Sequence, residues 1–396
     1  MRFGLGFGID VNNVVLRPAF DLNFMGGMPA GLTYTNSSTA RAYWDATGTR
    51  RTAVANEPIF ETLGGVYQGM RWEMEARTNL ATNSEGAAAT WTVSNVSDAG
   101  TPIAGFSNSL AFGDNSVLRY AYKSFTTVDA TRYTVSVFVQ MDDGGAPVVG
   151  ALSTDGDFSL VIEGDVAQID IKVQKIAGSL YRVSASRTAA APISVQSGVV
   201  KYTTQSARTF RVAGIQLEAA ASASSYIPTA GSAVIRQPDV LTATSISPWY
   251  RQDEGTAVFE GIADAIAASS GLDARVPFAF SNGSSNELVA CYYNSNGTVT
   301  PFIRDGGVTQ TTGNSANSVS ASSVHRIALA YKLNDCAQAV NGGTVLTDTS
   351  ATMPTVSQLN LGTRSGSTAA FMGYARRFQY YNTRLPNTIL QGLSRV

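Results

Sequence analysis

Charge is scarce in this chain. Charged residues make up 14% of its 396 residues, where an average globular chain carries about a quarter. The net charge is −1. No basic field is therefore present to hold nucleic acid or an acidic membrane surface. Only five of the 28 basic residues are lysines: Lys123, Lys172, Lys175, Lys201 and Lys332. One histidine, His325, rules out multi-histidine metal sites and leaves a single candidate base for a Ser/His/Asp triad. The two cysteines, Cys291 and Cys336, do not make a disulfide framework. They can bridge only if their strands are neighbours, and two small buried thiols are the simpler expectation. No apolar run approaches the roughly 18 residues of a membrane span, so no membrane insertion is expected. The start, Met1-Arg2-Phe3-Gly4-Leu5-Gly6-Phe7-Gly8, lacks the long apolar region of a signal peptide. If the protein works outside a cell, the expectation is that it leaves by another route, such as release in an assembled particle. Helical periodicity and heptads are scarce as well.

What recurs is short runs of alternating apolar and polar residues, broken by Gly, Asn, Asp and Ser. Thr131 to Val139 alternates cleanly, with Tyr133, Val135, Val137 and Val139 on one face. Gln168 to Gln174 and Leu180 to Ser184 do the same. Period 2 over many segments gives one buried face per strand, and two facing sheets cover such faces most simply. The expected fold class is all-β, with an N-terminal region followed by two β-sandwich domains. Asp142-Asp143-Gly144-Gly145, Asn296-Gly297, Asp305-Gly306-Gly307 and Asn341-Gly342-Gly343 tolerate positive φ, and each is expected to close a hairpin. Helix is confined to a turn or two over Ile262–Ala268 and a short terminal helix over Leu385–Gly392, opened by Pro386.

Composition divides the chain into residues 1–79, 80–230, a linker at 231–244, and 245–396. The first part is irregular and glycine-rich, yet carries Phe3, Phe7, Phe20, Phe24, Tyr34, Tyr43, Trp44, Phe60, Tyr67 and Trp72. So much apolar area with so little patterning suggests a docking region buried against other subunits. The competing expectation is a small cap packed on its own chain.

Catalytic signals are weak. His325 lies in an alternating strand with Ile327, Leu329 and Tyr331 on its face, which fits a structural histidine. No Gly-x-Ser-x-Gly elbow, Walker-type loop or zinc spacing is present, and the Gly4-x-Gly6-x-Gly8 start neither follows a strand nor opens a helix. No catalytic residue, cofactor or metal is expected. Asp155-Gly156-Asp157 and Asp142-Asp143 offer hard oxygens for calcium, but Asp-Gly pairs are above all turn formers. Sugar binding needs an aromatic face edged by groups that hydrogen-bond hydroxyls. Trp91, Trp249-Tyr250, Tyr292-Tyr293 and Tyr380-Tyr381 are the aromatic candidates, with Arg304-Asp305 beside Phe302 as polar partners. Adjacent residues of a strand point to opposite faces, so each Tyr pair splits into one core ring and one outward ring. The carbohydrate-binding candidates are Trp91, Trp249, Tyr292, Tyr293, Arg304 and Asp305.

Three segments, Asp21-Leu22-Asn23-Phe24, Tyr34-Thr35-Asn36-Ser37-Ser38-Thr39-Ala40 and Glu75-Ala76-Arg77-Thr78-Asn79-Leu80, resemble the leader of bacteriophage virion proteins of the head- or tail-fibre type. Tyr133-Thr134-x-Ser136-Val137-x-Val139, Tyr181-Arg182-Val183-Ser184 and Val212 to Glu218, followed by Ser225-Tyr226-Ile227-Pro228-Thr229, resemble a carbohydrate-binding-module-like jelly roll. His325 to Tyr331, Ala339-Val340-Asn341-Gly342, Leu359 to Gly362 and Gly373 to Leu385 are similar to a laminin-G/concanavalin A-like lectin domain. The resemblance implies a non-enzymatic structural protein of a phage particle, a fibre or spike that presents sandwiches to host surface glycans. It also implies location in the virion, other virion proteins as partners of the N-terminal region, and homo-oligomers, with a trimer as the expected state. A polysaccharide depolymerase and a purely architectural virion protein are the alternatives.

Overall fold

A computed structural model of the chain describes residues 10–11, 14–38, 41–164, 169–189, 194–266, 275–364 and 370–396. The described chain is almost entirely antiparallel β-structure of the sandwich type. It forms two compact units. The central unit comprises Thr35–Arg71 and Glu75–Asp239. The C-terminal unit comprises residues up to Tyr34, Trp72–Met74 and Val240–Val396.

In the central unit one sheet runs in the order Thr92–Ser94, Arg119–Thr126, Ser194–Lys201, Phe158–Val161, Val149–Gly150. The facing sheet runs Val96–Asp98, Leu110–Phe112, Phe210–Glu218, Arg132–Met141, Leu180–Thr188, Ile169–Ala177. Val135, Val137 and Val139 from one sheet meet Ala121, Leu160 and Val199 from the other in a single buried core. The alternation therefore places its apolar stripe inside, as period 2 requires. The strand Arg132–Met141 buries its second face too. There Phe138 packs against Trp44, Phe106 and Tyr226, with ring centroids 4.5, 5.2 and 5.6 Å away. A bulge between Ser136 and Phe138 opposite Phe210–Glu218 makes room for this cluster. Gly214 sits at that bulge with φ +59°, and a Cβ there would lie 2.7 Å from the Phe138 ring.

In the C-terminal unit one sheet contains, in hydrogen-bonded order, Val308–Thr309, Val299–Asp305, Leu288–Tyr293, Phe278–Ser281, Gln358–Leu361 and Val240–Ala243. The other contains Leu346–Asp348, Cys336–Val340, Val324–Lys332, Glu254–Ala263 and Met372–Tyr381, the last also pairing with Phe20–Asn23. Aromatic rings fill the space between them, with Phe278 on Phe378 at 5.3 Å and Phe280 on Tyr380 at 5.5 Å. On the far side of the second sheet, Ala328, Ala330, Ala337 and Ala339 form a shallow apolar row. The helix Asn387–Leu393 lays Leu390 on that row, with Leu385 just before it. Pro386 caps the helix, as its position in the sequence suggests.

Several sequence expectations change here. The aromatic side chains of residues 1–79 do not stand apart. Trp44 (3% exposed) belongs to the central unit, while Phe24 and Trp72 (both 0%) are core residues of the C-terminal unit. Those three rings need no other subunit to cover them, while Phe20, Tyr34, Tyr43, Phe60 and Tyr67 are half-buried; Phe3 and Phe7 lie outside the described residues. The stretch 231–244 is not a loose linker. Val234–Arg236 pairs with Arg77–Asn79, and Val240–Ala243 is a sheet strand. Asp239 accepts hydrogen bonds from Asn36 Nδ2 at 2.7 Å and Arg41 Nη1 at 3.3 Å, both in the central unit. Ile262 and Ala263 end a strand rather than start a helix, because Gly261 to Ala263 pair with Gly373 to Ala375; residues 267–268 lie outside the described residues. Three of the four glycine turns close hairpins. The fourth, Asp142 to Gly145, crosses from one sheet of the central unit to the other.

Candidate functional site

The hairpin Leu288–Tyr293 and Val299–Asp305 sets the candidate site. Its register places Tyr292 opposite Thr300, Ala290 opposite Phe302 and Leu288 opposite Arg304. Directly opposed residues share a face, so Tyr292, Thr300, Phe302 and Arg304 form one row on the side away from the aromatic core. Thr300 is buried, and Phe302 is buried in a small cluster with Val276, Ala279, Leu288 and Ala290, so Tyr292 and Arg304 are the accessible members of the row. Tyr292 is half-buried and meets Phe302 edge-on at 5.3 Å. The Arg304 guanidinium lies 6.0 Å from the Phe302 centroid. It donates to the carbonyls of Ser285, at 2.7 Å, and Gly307. A guanidinium held this way is a fixed planar donor group.

Beside Tyr292 the turn adds an amide cluster. Asn294 Nδ2 shares its two hydrogens among Thr298 Oγ1 and Thr300 Oγ1, each at 2.9 Å, and Asn314 Oδ1 at 3.1 Å. Thr300 Oγ1 donates to Asn314 Oδ1 at 2.5 Å. These bonds fix both amides and leave Asn294 Oδ1 as an acceptor and Asn314 Nδ2 as a donor, neither with a hydrogen bond among the described residues. An aromatic ring flanked by an oriented acceptor and an oriented donor matches the edge of a pyranose, which presents an apolar face and adjacent hydroxyls.

The structure separates the other candidates from this row. Tyr293 points the opposite way, is 0% exposed, and shares a hydrogen bond of 2.7 Å with His325 Nε2. Strand alternation makes it the core member of its pair, so it cannot touch a ligand. Asp305 accepts a hydrogen bond of 2.5 Å from Thr352 Oγ1. Trp249 presents no free face on one side, because Phe20 stacks on it at 4.1 Å with the rings 1° from parallel. Trp91 is buried; its Nε1 donates to the Asn83 carbonyl at 2.9 Å and Lys123 covers its ring. Trp91 is sealed by packing that composition does not reveal, and Trp249 is covered on one face and part-exposed. Asn294, Thr300 and Asn314 were missed. Their only sequence signal, an Asn- and Thr-rich turn, reads as turn chemistry alone. A second outward aromatic pair, Tyr120 and Tyr122 with centroids 5.1 Å apart, faces Ser94 and Thr92 in the central unit.

The groups suited to other chemistry are occupied. His325 is buried, which lowers its pKa to about 4. Tyr293 donates to its Nε2, and its Nδ1 faces the Ser323 carbonyl at 3.3 Å. Both cysteines are free and buried; burial raises the Cys336 thiol to about 11 and Cys291 further. Asp143 and Asp157 pair with Arg208, at 2.7 and 2.6 Å. Asp155 accepts from the backbone of Ala151 and Leu152. Its carboxylate serves the turn. No group of three or more His, Cys, Asp or Glu side chains suited to a metal ion occurs among the described residues.

The chain matches no protein-family model and no curated protein sequence. Parts of it are similar to solved β-structures. The CBM40 of an IT-sialidase from Ruminococcus gnavus, bound to α2,3-sialyllactose, is 18% identical over 36% of this chain and 83% of that one, with a TM-score of 0.30. Domain 4 of AbnA, an extracellular arabinanase of Geobacillus stearothermophilus, is 9% identical over 40% of this chain and 73% of that one, with a TM-score of 0.33. The NanB sialidase of Streptococcus pneumoniae is 17% identical over 37% of this chain and 25% of that one, with a TM-score of 0.32. Likeness at this level identifies neither a family nor a ligand.

Proposed function

We propose that this protein is a non-enzymatic recognition component that holds a glycan on the outward row of its C-terminal unit, displayed on a bacteriophage particle. One observation carries the glycan reading: the half-buried Tyr292 is the register partner of Thr300, whose hydroxyl bonds Asn294 and Asn314, and those two amides keep Asn294 Oδ1 and Asn314 Nδ2 without a hydrogen bond among the described residues. A pyranose stacks its apolar face on the ring while two neighbouring hydroxyls donate to Asn294 and accept from Asn314. The virion setting rests on the sequence resemblance at residues 21–24, 34–40 and 75–80. The non-enzymatic reading is supported by the sealed, neutral His325 and by the engagement of Asp143, Asp155 and Asp157 in ion pairs and turns.

Purified full-length protein on a glycan array, with Tyr292→Ala alongside, tests this reading. Retention of a glycan class by the wild type and its loss in the variant supports it. No retention favours a purely architectural role. New reducing ends released from the glycans establish a depolymerase instead.

A further inference from the structure

The central unit holds a cavity of about 90 Å³ between its two sheets. Most of its wall is hydrocarbon, from Leu80, Phe125, Val135, Ile215 and Leu217. Four polar residues, Thr82, Lys123, Ser124 and Ser197, interrupt that wall. Lys123 and Ser197 are register partners on neighbouring strands, so they share the inward side of the sheet. Ser197 is 4% exposed, and its Oγ is buried with no hydrogen-bond partner. An unmet hydroxyl in a sandwich core carries a desolvation penalty that an alanine would avoid. The Lys123 ammonium donates to the Thr90 carbonyl at 2.5 Å and lies 5.2 Å from the Trp91 centroid. That bond uses one of its three donors. It forms no ion pair among the described residues, and burial holds its pKa below the ordinary lysine value. Water would meet the hydroxyl, but it would not wet the apolar wall favourably.

We propose that this cavity binds a small amphipathic carboxylate. Its hydrocarbon part packs among Val135, Ile215 and Leu217, and its oxygens accept from Ser197 Oγ and Lys123 Nζ. A cavity of about 90 Å³ limits the ligand to a short-chain carboxylate. Isobutyrate, with three apolar carbons, is the fitting probe. The site belongs to the unit that does not carry Tyr292, so its failure leaves the glycan reading untouched.

The test is a titration of methyl-labelled, full-length protein with sodium isobutyrate, followed through the methyl resonances of Leu80, Val135, Ile215 and Leu217. Saturable shifts at these methyls are expected. Isobutanol, of similar shape without charge, and acetate, without the branched chain, are each expected to bind about tenfold more weakly. Ser197→Ala and Lys123→Met are each expected to weaken isobutyrate by a similar factor, and Ser197→Val, which fills the space, to abolish binding. Ser197→Ala removes a single oxygen, so it keeps the test open if Lys123→Met fails to fold. Absence of saturable shifts overturns the proposal. So does equal binding of isobutanol, or isobutyrate binding that neither Ser197→Ala nor Lys123→Met changes.

Discussion

At the scale of single residues, burial decides which groups can act. His325 is held neutral, with a pKa near 4 in the folded chain against about 6.5 when unfolded. The unfolded state therefore binds more protons between these values, and stability falls as pH drops through that window. The contribution is complete above pH 6.5 and is reduced by about 2 kcal/mol at pH 5. Urea denaturation of wild type and His325→Leu at pH 7.5 and 5 measures it. The wild type is expected to lose about 2 kcal/mol more than the variant, and equal losses would show that His325 is not desolvated. Lys201 illustrates the opposite arrangement. It is 0% exposed, yet its ammonium donates to the carbonyls of Asp157, Ser206 and Arg208 at 3.0, 2.7 and 2.8 Å. One cation thus satisfies three carbonyls where two loops meet. Lys201→Met leaves them unmet and is expected to destabilise the central unit by about 3 kcal/mol. An unchanged denaturation midpoint would refute that role.

At the scale of elements, alternation was legible and layering was not. The stripe Tyr133, Val135, Val137, Val139 announces a strand and its core face, and the structure places all four in one core. Nothing in the same segment announces that Phe138 on the other side is also covered, because Trp44 and Phe106 reach it from distant sequence. The same limit explains the sites. Alternation correctly splits Tyr292 from Tyr293, and the register joins Tyr292 to Arg304 through Phe302. Alternation fails for Tyr380 and Tyr381, which are both buried because the outer face of their strand carries a second cluster with Leu385 and Leu390. It says nothing of Phe20 stacking on Trp249, or of Asn314 reaching Asn294 from beyond the next strand. Gly255 shows how one strand position can be dictated by long-range contacts. A Cβ there would lie 2.3 Å from the Tyr380 hydroxyl and 2.6 Å from that of Tyr331. Those hydroxyls bond each other at 2.8 Å, and Tyr331 donates to the Arg251 carbonyl at 2.8 Å. Gly255→Ala is expected to cost about 2–3 kcal/mol by forcing this pair apart. Thermal unfolding checks it, and a midpoint within a degree of wild type would contradict it.

At the scale of the whole molecule, two sandwiches spend their apolar stripes on their own cores and leave rims and outward faces for contact. Low charge fits such a role, since flat polar faces can approach neutral surfaces without like-charge repulsion. On the proposed reading, recognition falls to small, pre-positioned groups such as the Tyr292 ring and the two asparagine amides. Losing roughly 60 Å² of ring contact at about 25 cal/mol per Å² removes about 1.5 kcal/mol, which is about tenfold in affinity. The most direct measurement is calorimetric titration of an array-selected glycan into wild type, Tyr292→Ala and Trp249→Phe. The account predicts that Tyr292→Ala weakens binding at least about tenfold while Trp249→Phe binds as wild type does. Equal affinity for wild type and Tyr292→Ala would contradict it.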